Sequence, residues 1–358
     1  MNGFSVVAAY NKKLWFEYLK EYDIQTTRIP WSLSYRALVK LSKYIGNTIN
    51  AWRKLTPYFH PIIRTLLEKK CDLWIFPSQD PLSYQVPVPS LVAIHDLMHR
   101  YEHRFPELSA NGQYQWREKF YSNVCRFSKG ILVDSTIGKK HVVESYATDP
   151  QKIHLLPYIP PKYIYSDIMV SNFNDRYKLP PKFIFYPAHF WEHKNHANLL
   201  RAASIIKNKL PNIHLVFVGS KKNNYDRTVD MIHELGLKDS VDIFEYVSNE
   251  DLAEIYRLAT ALVMPTFLGP TNIPPLEAFI LGCPVAVSNN YGMPKQVGDA
   301  GLLFDPNNIH EIANVIEILW TDHKKRQKLI TRGFAKSKEW DQQKFNLRLK
   351  SIIETVIQ

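Results

Sequence analysis

The chain contains 358 residues, of which 45% are hydrophobic and 22% charged, and its formal net charge is +11. This composition is ordinary for a soluble globular protein, and the length favours two domains. No apolar run approaches the roughly 18 residues that span a bilayer, and the first residues lack the basic region of a signal peptide. Three widely spaced cysteines (Cys71, Cys125 and Cys283) favour reduced thiols and a cytoplasmic location over a disulfide framework.

Strand-like and helix-like stretches alternate along the first half of the chain. Strands are predicted at Phe4–Ala9, Leu73–Phe76, Leu91–Ile94, Ile131–Val133 and His154–Leu156. Helices are predicted at Leu14–Glu21, Tyr58–Glu68 and Asn111–Phe127. The following stretch, YIPPKYIYSDIMVSNFNDRYKLPPK, has four prolines and no clear period, which predicts a linker near residues 158–180.

A second alternating series follows this linker. Its strands are predicted at Phe183–Tyr186, Leu215–Val218, Val241–Phe244, Leu262–Met264, Val285–Ser288 and Leu302–Phe304. Its helices are predicted at Ala197–Asn208, Asp226–Gly236, Asn249–Ala259, Pro275–Leu281 and Ile309–Thr321. Alternation of this kind predicts two similar α/β halves with parallel sheets. The cleft between such halves is the expected ligand site.

The positive charge is concentrated between Trp31 and Lys70, a stretch with eight Lys and Arg residues and one acidic residue, Glu68. Aromatic and aliphatic residues are interleaved with these charges. A basic, aromatic-rich amphipathic region fits an anionic membrane surface. A solvated helical face is the plainer alternative, and nucleic acid is a third that rests on charge alone.

Several common cofactor motifs are absent. The sequence has no Gly-x-Gly, no Gly-x-x-x-x-Gly-Lys-Ser/Thr phosphate loop, no Asp-x-Asp pair and no Cys-x-x-Cys. These absences argue against an NAD enzyme, an NTPase, a diphosphate bridged by a metal to two aspartates, and a zinc site built from cysteines.

Two histidine clusters have the spacing of metal ligands. HDLMHRYEHRF places His95, His99 and His103 four residues apart, and HFWEHKNH contains His189, His193 and His196. Zinc is one interpretation, but each cluster begins where a predicted strand ends. Because the carboxyl ends of strands line the crevice of an open α/β sheet, His95 and His189 are interpreted as groups that face a ligand.

The stretch FLGPTNIPPLEAFILGCPV places a loop between a strand and a helix that begins near Pro275. The N–H groups from Thr271 to Ile273 would lie at a helix N-terminus, which favours an anion such as phosphate. Glu277, one turn into the helix, would accept hydrogen bonds from ribose hydroxyls. The alternative is that the asparagine and the glutamate only cap the helix.

Several stretches together resemble family-4 retaining glycosyltransferases of the GT-B fold. They are the segments FLGPTNIPPLEAFILGCPVAVSN, GLLFDPNNIHEIANVI, YPAHFWEHKNHANLLRA, LVAIHDLMHRYEHRFPE and ILVDSTIGKKHVVESYATDPQKIHLLPYIPP. The match runs from about Cys71 to the end of the chain, and is nearest to bacterial-type mannosyl- and related transferases that build surface polysaccharides.

The resemblance implies an α/β protein with two Rossmann-like domains that face a central cleft. Residues 1–170 would form the acceptor-side domain and residues 171–338 the donor-binding domain. Residues 339–358 would form a helix that crosses back to the first domain, as the last helix of GT-B enzymes typically does. The apolar spacing of the tail is equally consistent with a helix that simply caps the second domain.

The resemblance also assigns roles to individual residues. Glu277 would bind the donor ribose, Lys194 would neutralise the departing nucleoside diphosphate, and His95 would face the donor sugar. The other donor-binding positions would be His189, Asn195, Gly219, Val247, Gly269, Thr271, Asn272 and Ile273. The implied reaction transfers a hexose, with retention, from a GDP- or UDP-sugar to a glycan or lipid-linked acceptor. It requires neither a cofactor nor an essential metal.

Three departures from the family pattern define an alternative function. Gly269 stands where the first glutamate of the family's paired motif falls, and His189 stands where an arginine is usual. In addition, the first strand and its glycine-rich loop are missing or diverged. The alternative is therefore a catalytically impaired member that binds a sugar nucleotide or assembles with a partner.

Overall fold

The computed structural model describes residues 3–22, 24–29, 49–165 and 171–358. The prediction that the Trp31–Lys70 region docks on a membrane falls partly on residues 31–48, which lie outside the described residues. In the described part of the chain, no helix combines the length and the apolar character needed to cross a bilayer.

Two parallel sheets form in the first half of the chain. The smaller sheet pairs β1 (Val7–Tyr10) with β2 (Gln25–Arg28). The larger has the order β3-β4-β5-β6, and its strands are Trp74–Phe76, Ser90–Ala93, Gly130–Val133 and Ile153–Leu155. The helices are α1 (Lys13–Lys20), α2 (Ile49–Phe59), α3 (Pro61–Glu68), α4 (Leu82–Gln85), α5 (Met98–Tyr101), α6 (Pro106–Ser109), α7 (Gln113–Phe127) and α8 (Thr136–Tyr146).

A six-stranded parallel sheet forms the second half, with the order β12-β11-β10-β7-β8-β9. The strands β7 to β12 are Ile184–Pro187, Leu215–Val218, Val241–Phe244, Ala261–Met264, Val285–Ser288 and Gly301–Phe304. The helices α9 to α17 are Phe173–Tyr177, His196–Ile206, Tyr225–Glu234, Asn249–Leu258, Pro274–Ile280, Met293–Val297, Ile309–Thr321, His323–Glu339 and Gln342–Ile357.

Each large sheet has its own hydrophobic core. In the second half, helices cover strands whose residues are almost all buried, such as Leu215–Val218 and Val285–Ser288. A separate core joins the sheet of the first half to α2, α3 and α7. Strands that are buried on both faces consist of continuous apolar runs, which is why these runs were readable in the sequence. The α/β fold class is therefore confirmed.

The strand order of the second half reverses between β7 and β10, which are neighbours in the sheet although β8 and β9 lie between them in sequence. Such a reversal opens a crevice at the carboxyl ends of the strands. The loops that follow β7 and β10 flank this crevice. They contain Lys194 and residues 269–273, which are predicted to bind the donor.

Sequence patterns missed or misread several elements. The strand Gln25–Arg28 was not predicted, because QTTR has no apolar run; it pairs with β1 in a separate two-stranded sheet. The predicted linker contains a 3-10 helix, Lys162–Tyr165, and the helix Phe173–Tyr177. The helix α8 was also overlooked. It begins at the N-cap Ser135, whose hydroxyl accepts from the N–H of Gly138.

The last helix packs against the sheet of the first half. Its residues Ile352, Ile353 and Val356 form a buried cluster with Leu91, Leu132 and Leu156 of that half. At the start of this return, the indole N–H of Trp340 donates to the carbonyl of Pro157 at 3.1 Å. The chain end therefore joins the two halves, while the domain boundaries at residues 170 and 338 stay a prediction.

Candidate active site

The loop after β7 holds His189 as a neutral hydrogen-bonding group. Its Nδ1 accepts from the backbone N–H of Ser220 at 3.0 Å and from the hydroxyl of the same residue at 2.9 Å. Burial lowers the pKa of His189, and the nearby charges of Lys222 and Lys194 lower it further. With Nδ1 as acceptor, the ring proton lies on Nε2. His189 can therefore donate a hydrogen bond, but it does not replace the charge of the arginine usual at this position.

Lys194 ends a short 3-10 helix, Glu192–Lys194, beside the crevice. Within the described parts of the chain, its ammonium group has no hydrogen-bond or ion-pair partner. Burial lowers the pKa of Lys194 to about 8, although the carboxylates of Asp96 and Glu107 act in the opposite direction. A desolvated cation without a partner favours an anionic ligand. This property fits the predicted contact with a diphosphate.

Glu107, which the sequence analysis did not select, holds the loop before Lys194 to the first half. Its carboxylate accepts from the N–H of His193 at 3.0 Å, from the His193 ring at 2.5 Å and from the amide of Asn223 at 2.8 Å. Burial opposes ionisation, but these hydrogen bonds outweigh it and lower the pKa of Glu107 to about 2. No sequence pattern signals this contact, because 86 positions separate Glu107 from His193.

An apolar cluster surrounds this carboxylate. Phe105 and Leu108 of the first half pack against Phe267 and Leu268 of the second, and the rings of Phe105 and Phe267 stack with centroids 5.4 Å apart. The segment that follows His95 is thereby docked on the loop that follows β10. The two halves meet here at the edge of the cleft.

The conformation of the loop after β10 requires a glycine at position 269, where the resemblance predicts a glutamate. Gly269 has a φ of 120°, and a Cβ there would lie 2.5 Å from Nδ2 of Asn272. A glutamate would need both another backbone conformation and the space that the Asn272 amide fills. This amide donates in turn to the carbonyl of Leu268 at 3.4 Å. The Asn272 amide therefore occupies the space into which a side chain at position 269 would project.

The predicted phosphate-binding N–H groups are less open than expected. The N–H of Asn272 donates to Gln296 Oε1 at 3.0 Å, and Pro274 and Pro275 have no N–H to offer. Ile273 is the N-cap of the helix and is 38% exposed. Asn272 is thus clamped to Gln296, whose amide also donates to its carbonyl at 2.6 Å. No sequence pattern predicts these two hydrogen bonds between Asn272 and Gln296.

Thr271 bridges the two halves of the molecule. Its hydroxyl donates to the carboxylate of Asp134, which follows β5 in the first half and is also bonded by the hydroxyl of Ser135. Burial raises the pKa of Asp134, and the two hydroxyls partly offset this effect. The Thr271 side chain therefore contacts the first half across the cleft, while the predicted donor at this position was its backbone N–H.

Glu277 finds its partners in two tyrosines. One carboxylate oxygen accepts from Tyr256 at 2.6 Å and the other from Tyr163 at 2.8 Å. Glu277 is only 6% exposed. Burial raises its pKa, and the hydrogen bonds from Tyr256 and Tyr163 counteract the rise. The buried carboxylate is thus satisfied without a ligand, and Tyr163, from the segment predicted as a linker, was not foreseen.

His95 is held in one orientation at the end of β4. Its Nε2 lies 2.9 Å from the carbonyl of Pro77, and its Nδ1 lies 2.6 Å from the hydroxyl of Tyr158. A carbonyl only accepts, so Nε2 carries the proton and Nδ1 accepts from Tyr158. His95 is therefore a fixed ring at the cleft edge of the first half.

The remaining predicted positions, Asn195, Gly219 and Val247, support the loops around the crevice. Asn195 is buried, and its amide donates to the carbonyls of Pro265 at 3.0 Å and Pro306 at 2.9 Å. A Cβ on Gly219 would lie 2.2 Å from the carbonyl oxygen of Ala188, so this glycine lets the loops after β7 and β8 touch. Val247 is a buried core residue. The Asn195 side chain therefore stabilises neighbouring loops by hydrogen bonds, and the Val247 side chain does so by packing in the core.

A cavity of about 660 Å³ lies between the two halves, next to the Thr271–Asp134 bridge. Its walls include the apolar residues Ile137, Leu155, Leu276, Ile280 and Trp340, and three lysines, Lys140, Lys295 and Lys336, also line it. Across the described ranges, no group of three or more His, Cys, Asp or Glu side chains is arranged to hold a metal ion. In particular, His99 pairs with Glu118 at 2.7 Å.

Comparisons with known proteins agree with this fold. Residues 171–336 match the family model of "Glycosyl transferases group 1". The chain is similar over 98% of its length to a crystal structure of Anabaena Alr3699/HepE in complex with UDP, with a TM-score of 0.72, 15% identity and 92% of that chain covered. A glycosyltransferase from Rickettsia africae gives a TM-score of 0.69 at 16% identity, covering 99% of this chain and 90% of that one.

Among curated proteins, the similarity is confined to part of the chain. The serotype-specific mannosyltransferase WbdA of Escherichia coli is 27% identical over 176 residues, which are 48% of this chain and 22% of that protein. The Escherichia coli O-antigen chain mannosyltransferase B is 31% identical over 149 residues, 41% of this chain and 39% of that protein. The chain thus spans less than half the length of these relatives.

The fold is therefore GT-B, and residues 171–336 match the group 1 glycosyl transferases. The predicted resemblance to family-4 glycosyltransferases of this fold is confirmed at the level of family and fold.

We expect Gly269→Ala to lower the free energy of unfolding by about 1–3 kcal/mol, because it adds a strained φ and a clash with Asn272. Gly236→Ala is the matched control: Gly236 also has a positive φ, of 64°, but a Cβ there meets nothing within 4 Å. It should cost about 1 kcal/mol. Denaturant unfolding of both variants measures the difference, and equal losses would show that the contact with Asn272 carries no weight.

Proposed function

We propose that this protein transfers a hexose, with retention and without an essential metal, from a nucleoside diphosphate sugar to a glycan or lipid-linked acceptor. The observation that carries the proposal is Lys194, an ammonium group with no partner among the described residues, at the crevice of a group 1 glycosyl transferase domain. Glu277 lies in the helix after the facing loop. These two groups match the diphosphate and the ribose of such a donor.

The leaving group of this reaction is a nucleoside diphosphate, so the site must stabilise negative charge as the glycosidic bond breaks. Lys194 supplies a positive charge, and the Nε2–H of His189 supplies a neutral donor. The desolvation that lowers the pKa of Lys194 also strengthens its attraction for a phosphate. No metal is required for this role in the proposal, because fixed protein groups provide the stabilisation.

The donor is either a GDP- or a UDP-sugar, with GDP-mannose slightly favoured. Three of the similar curated proteins are named mannosyltransferases, whereas the structurally similar HepE was solved with UDP and with UDP-glucose. The base would lie near the loop that contains Val247, where backbone groups rather than side chains are available for recognition.

The acceptor would enter the cavity between the halves. Its apolar walls suit the face of a sugar or a lipid chain, and its lysines suit an anionic group. The Asp134 carboxylate lies at the boundary with the donor loop, where it can accept from an acceptor hydroxyl. This placement puts the acceptor next to Thr271 and the bridge between the halves.

A binding protein without transferase activity is the second candidate. The loss of the glutamate at Gly269 and the clamped Asn272 both favour it, because they remove groups that would contact the donor sugar. Such a protein would bind the nucleotide but would show neither transfer nor hydrolysis of the donor.

We further propose that the protein acts on the cytoplasmic face of a membrane. Among described residues, α2 exposes Leu55, Tyr58 and Phe59, with 56%, 81% and 46% of their surface accessible. Lys54, Arg64, Lys69 and Lys70 lie on or beside α2 and α3. Exposed aromatic residues next to cations are suited to the interface of an anionic bilayer.

The donor site is tested by calorimetric binding of UDP, GDP and ADP at pH 7 and pH 9. A phosphate favours protonated Lys194, so affinity should be present below the pKa of about 8 and lost as the pH rises through it. We expect about tenfold weaker binding at pH 9. Lys194→Met should bind weakly at both pH values, and Lys209→Met, at an exposed ion pair, should behave like the parent. If the affinity of the parent protein does not change with pH, the proposal that Lys194 binds the phosphate is wrong.

The acceptor site is tested by transfer from the donor so identified to octyl α-mannoside. Ile280→Trp should fill the cavity and reduce transfer by at least tenfold, while the affinity for the nucleotide stays unchanged. Ile205→Trp, on the exposed face of another helix, is the control and should transfer normally. Undiminished transfer by Ile280→Trp would place the acceptor elsewhere, and nucleotide binding without any transfer would favour the second candidate.

The membrane proposal is tested with vesicles that contain anionic phospholipid. Replacing Lys54, Arg64, Lys69 and Lys70 with glutamine should abolish cosedimentation, because each cation near the surface contributes about 1 kcal/mol. The control replaces four exposed lysines of the second half, Lys238, Lys324, Lys328 and Lys338, and should still bind. Equal binding by both variants would show that the position of the charges is irrelevant.

A further inference from the structure

The carboxylate predicted to bind the donor ribose is covered by two tyrosines in this structure. Glu277 is 6% exposed, and each of its oxygens accepts a hydrogen bond from a tyrosine. A ribose diol can reach this carboxylate only if one of the covering groups moves. The two tyrosines differ in how firmly the fold holds them.

Tyr256 belongs to the core of the second half. It lies on α12 with no exposed surface, and its ring contacts that of Phe185 at 4.9 Å between centroids. Moving it would open a cavity in the core, which costs several kcal/mol. Tyr256 is therefore a permanent partner of Glu277.

Tyr163 comes from the segment between the halves. It lies in the 3-10 helix Lys162–Tyr165, which packs against α12 and α13. The neighbouring Ile164 is 2% exposed and anchors the segment, whereas Tyr163 is partly exposed. Rotation of the Tyr163 side chain can therefore release Glu277 while the 3-10 helix stays packed against α12 and α13.

The chemistry of Tyr163 matches that of the ligand. Burial raises the pKa of its hydroxyl, and the Glu277 carboxylate raises it further, so the phenol is a protonated donor over the usual pH range. A ribose hydroxyl is also a neutral O–H donor. Exchange of one for the other at the carboxylate oxygen keeps the buried acceptor satisfied and moves no charge.

We propose that the hydroxyl of Tyr163 occupies the place of a ribose hydroxyl on Glu277, and that the nucleotide must displace it in order to bind. This inference rests on the proposed function, because it takes the ligand of Glu277 to be the ribose of a donor. Tyr163 is then a gating residue that sets the affinity for ribonucleotides, while Tyr256 positions the carboxylate in both states.

The opposite role for Tyr163 makes the opposite prediction. If Tyr163 stays bonded to Glu277 and positions it for the ribose, removal of its hydroxyl weakens nucleotide binding. If Tyr163 competes with the ribose, removal strengthens binding. The direction of the change in affinity therefore decides between the two roles.

The experiment compares the full chain with Tyr163→Phe, Tyr256→Phe and Tyr165→Phe by calorimetry with UDP, GDP and pyrophosphate. We expect Tyr163→Phe to bind the preferred nucleotide about three- to tenfold more tightly, as the loss of one competing hydrogen bond implies. Tyr256→Phe should bind it more weakly. Tyr165→Phe, on the same 3-10 helix and 54% exposed, should match the parent. Pyrophosphate, which lacks the ribose, should bind all four proteins equally.

A second measurement follows the tyrosine directly. With 3-fluorotyrosine at position 163, the fluorine resonance should shift on addition of the nucleotide and stay in place on addition of pyrophosphate. Weaker or unchanged nucleotide binding by Tyr163→Phe, or an unmoved resonance in the nucleotide complex, would overturn the gate while leaving the donor site intact. Failure of every nucleotide to bind both the parent and Tyr163→Phe would overturn the proposed function as well. Binding only by Tyr163→Phe would support both.

Discussion

Contacts between carboxylates of the first half and loops of the second determine the geometry of the cleft. Glu107 gathers three hydrogen bonds from His193 and Asn223, and Asp134 accepts from Thr271. Both carboxylates are largely removed from water, so each would be costly without its partners. The positions of Lys194 and of the loop around Gly269 follow from these contacts. Residues of both halves therefore meet at the cleft where the donor site is proposed.

The site replaces charge with neutral hydrogen bonds at two positions. His189 accepts from Ser220 and is neutral, and the amide of Asn272 lies where a side chain on Gly269 would project. Lys194 is a cation at the crevice whose pKa is set mainly by burial, and Lys222 lies near enough to His189 to lower the pKa of that ring as well. Because a desolvated charge interacts strongly with an anion, one lysine in such surroundings has a larger effect than one on the surface. Because the pKa of this buried lysine is about 8, nucleotide binding in the proposed mechanism is sensitive to pH.

Glu277 shows how a fold can satisfy a buried carboxylate. Two phenols donate to it, so the fold does not bear the cost of an unpaired buried charge. The segment that carries Tyr163 also joins the two halves. A change in the angle between the halves and the occupancy of Glu277 would therefore be linked through the same 3-10 helix.

The sequence by itself determined the α/β class, the two halves and, within the described residues, eleven of the twelve strands to within a few residues. It did so because strands that are buried on both faces consist of continuous apolar runs, which are visible in the sequence. It also predicted a donor site at Lys194, Glu277 and the loop at Gly269, and these assignments stay a prediction. The strand Gln25–Arg28 was missed because its residues are polar and its pairing with β1 is a property of the folded chain.

The tertiary structure alone decided which side chains are free and which are already bonded. Thr271, Asn272 and Asn195 are residues that bind ligands in many proteins, but here their partners are Asp134, Gln296 and two proline carbonyls. Glu107 and Tyr163 gained their roles from residues 86 and 114 positions away. Hydrogen bonds over such separations depend on how sheets and loops are brought together in space. A linear pattern records the donors and acceptors, and only the folded chain pairs them.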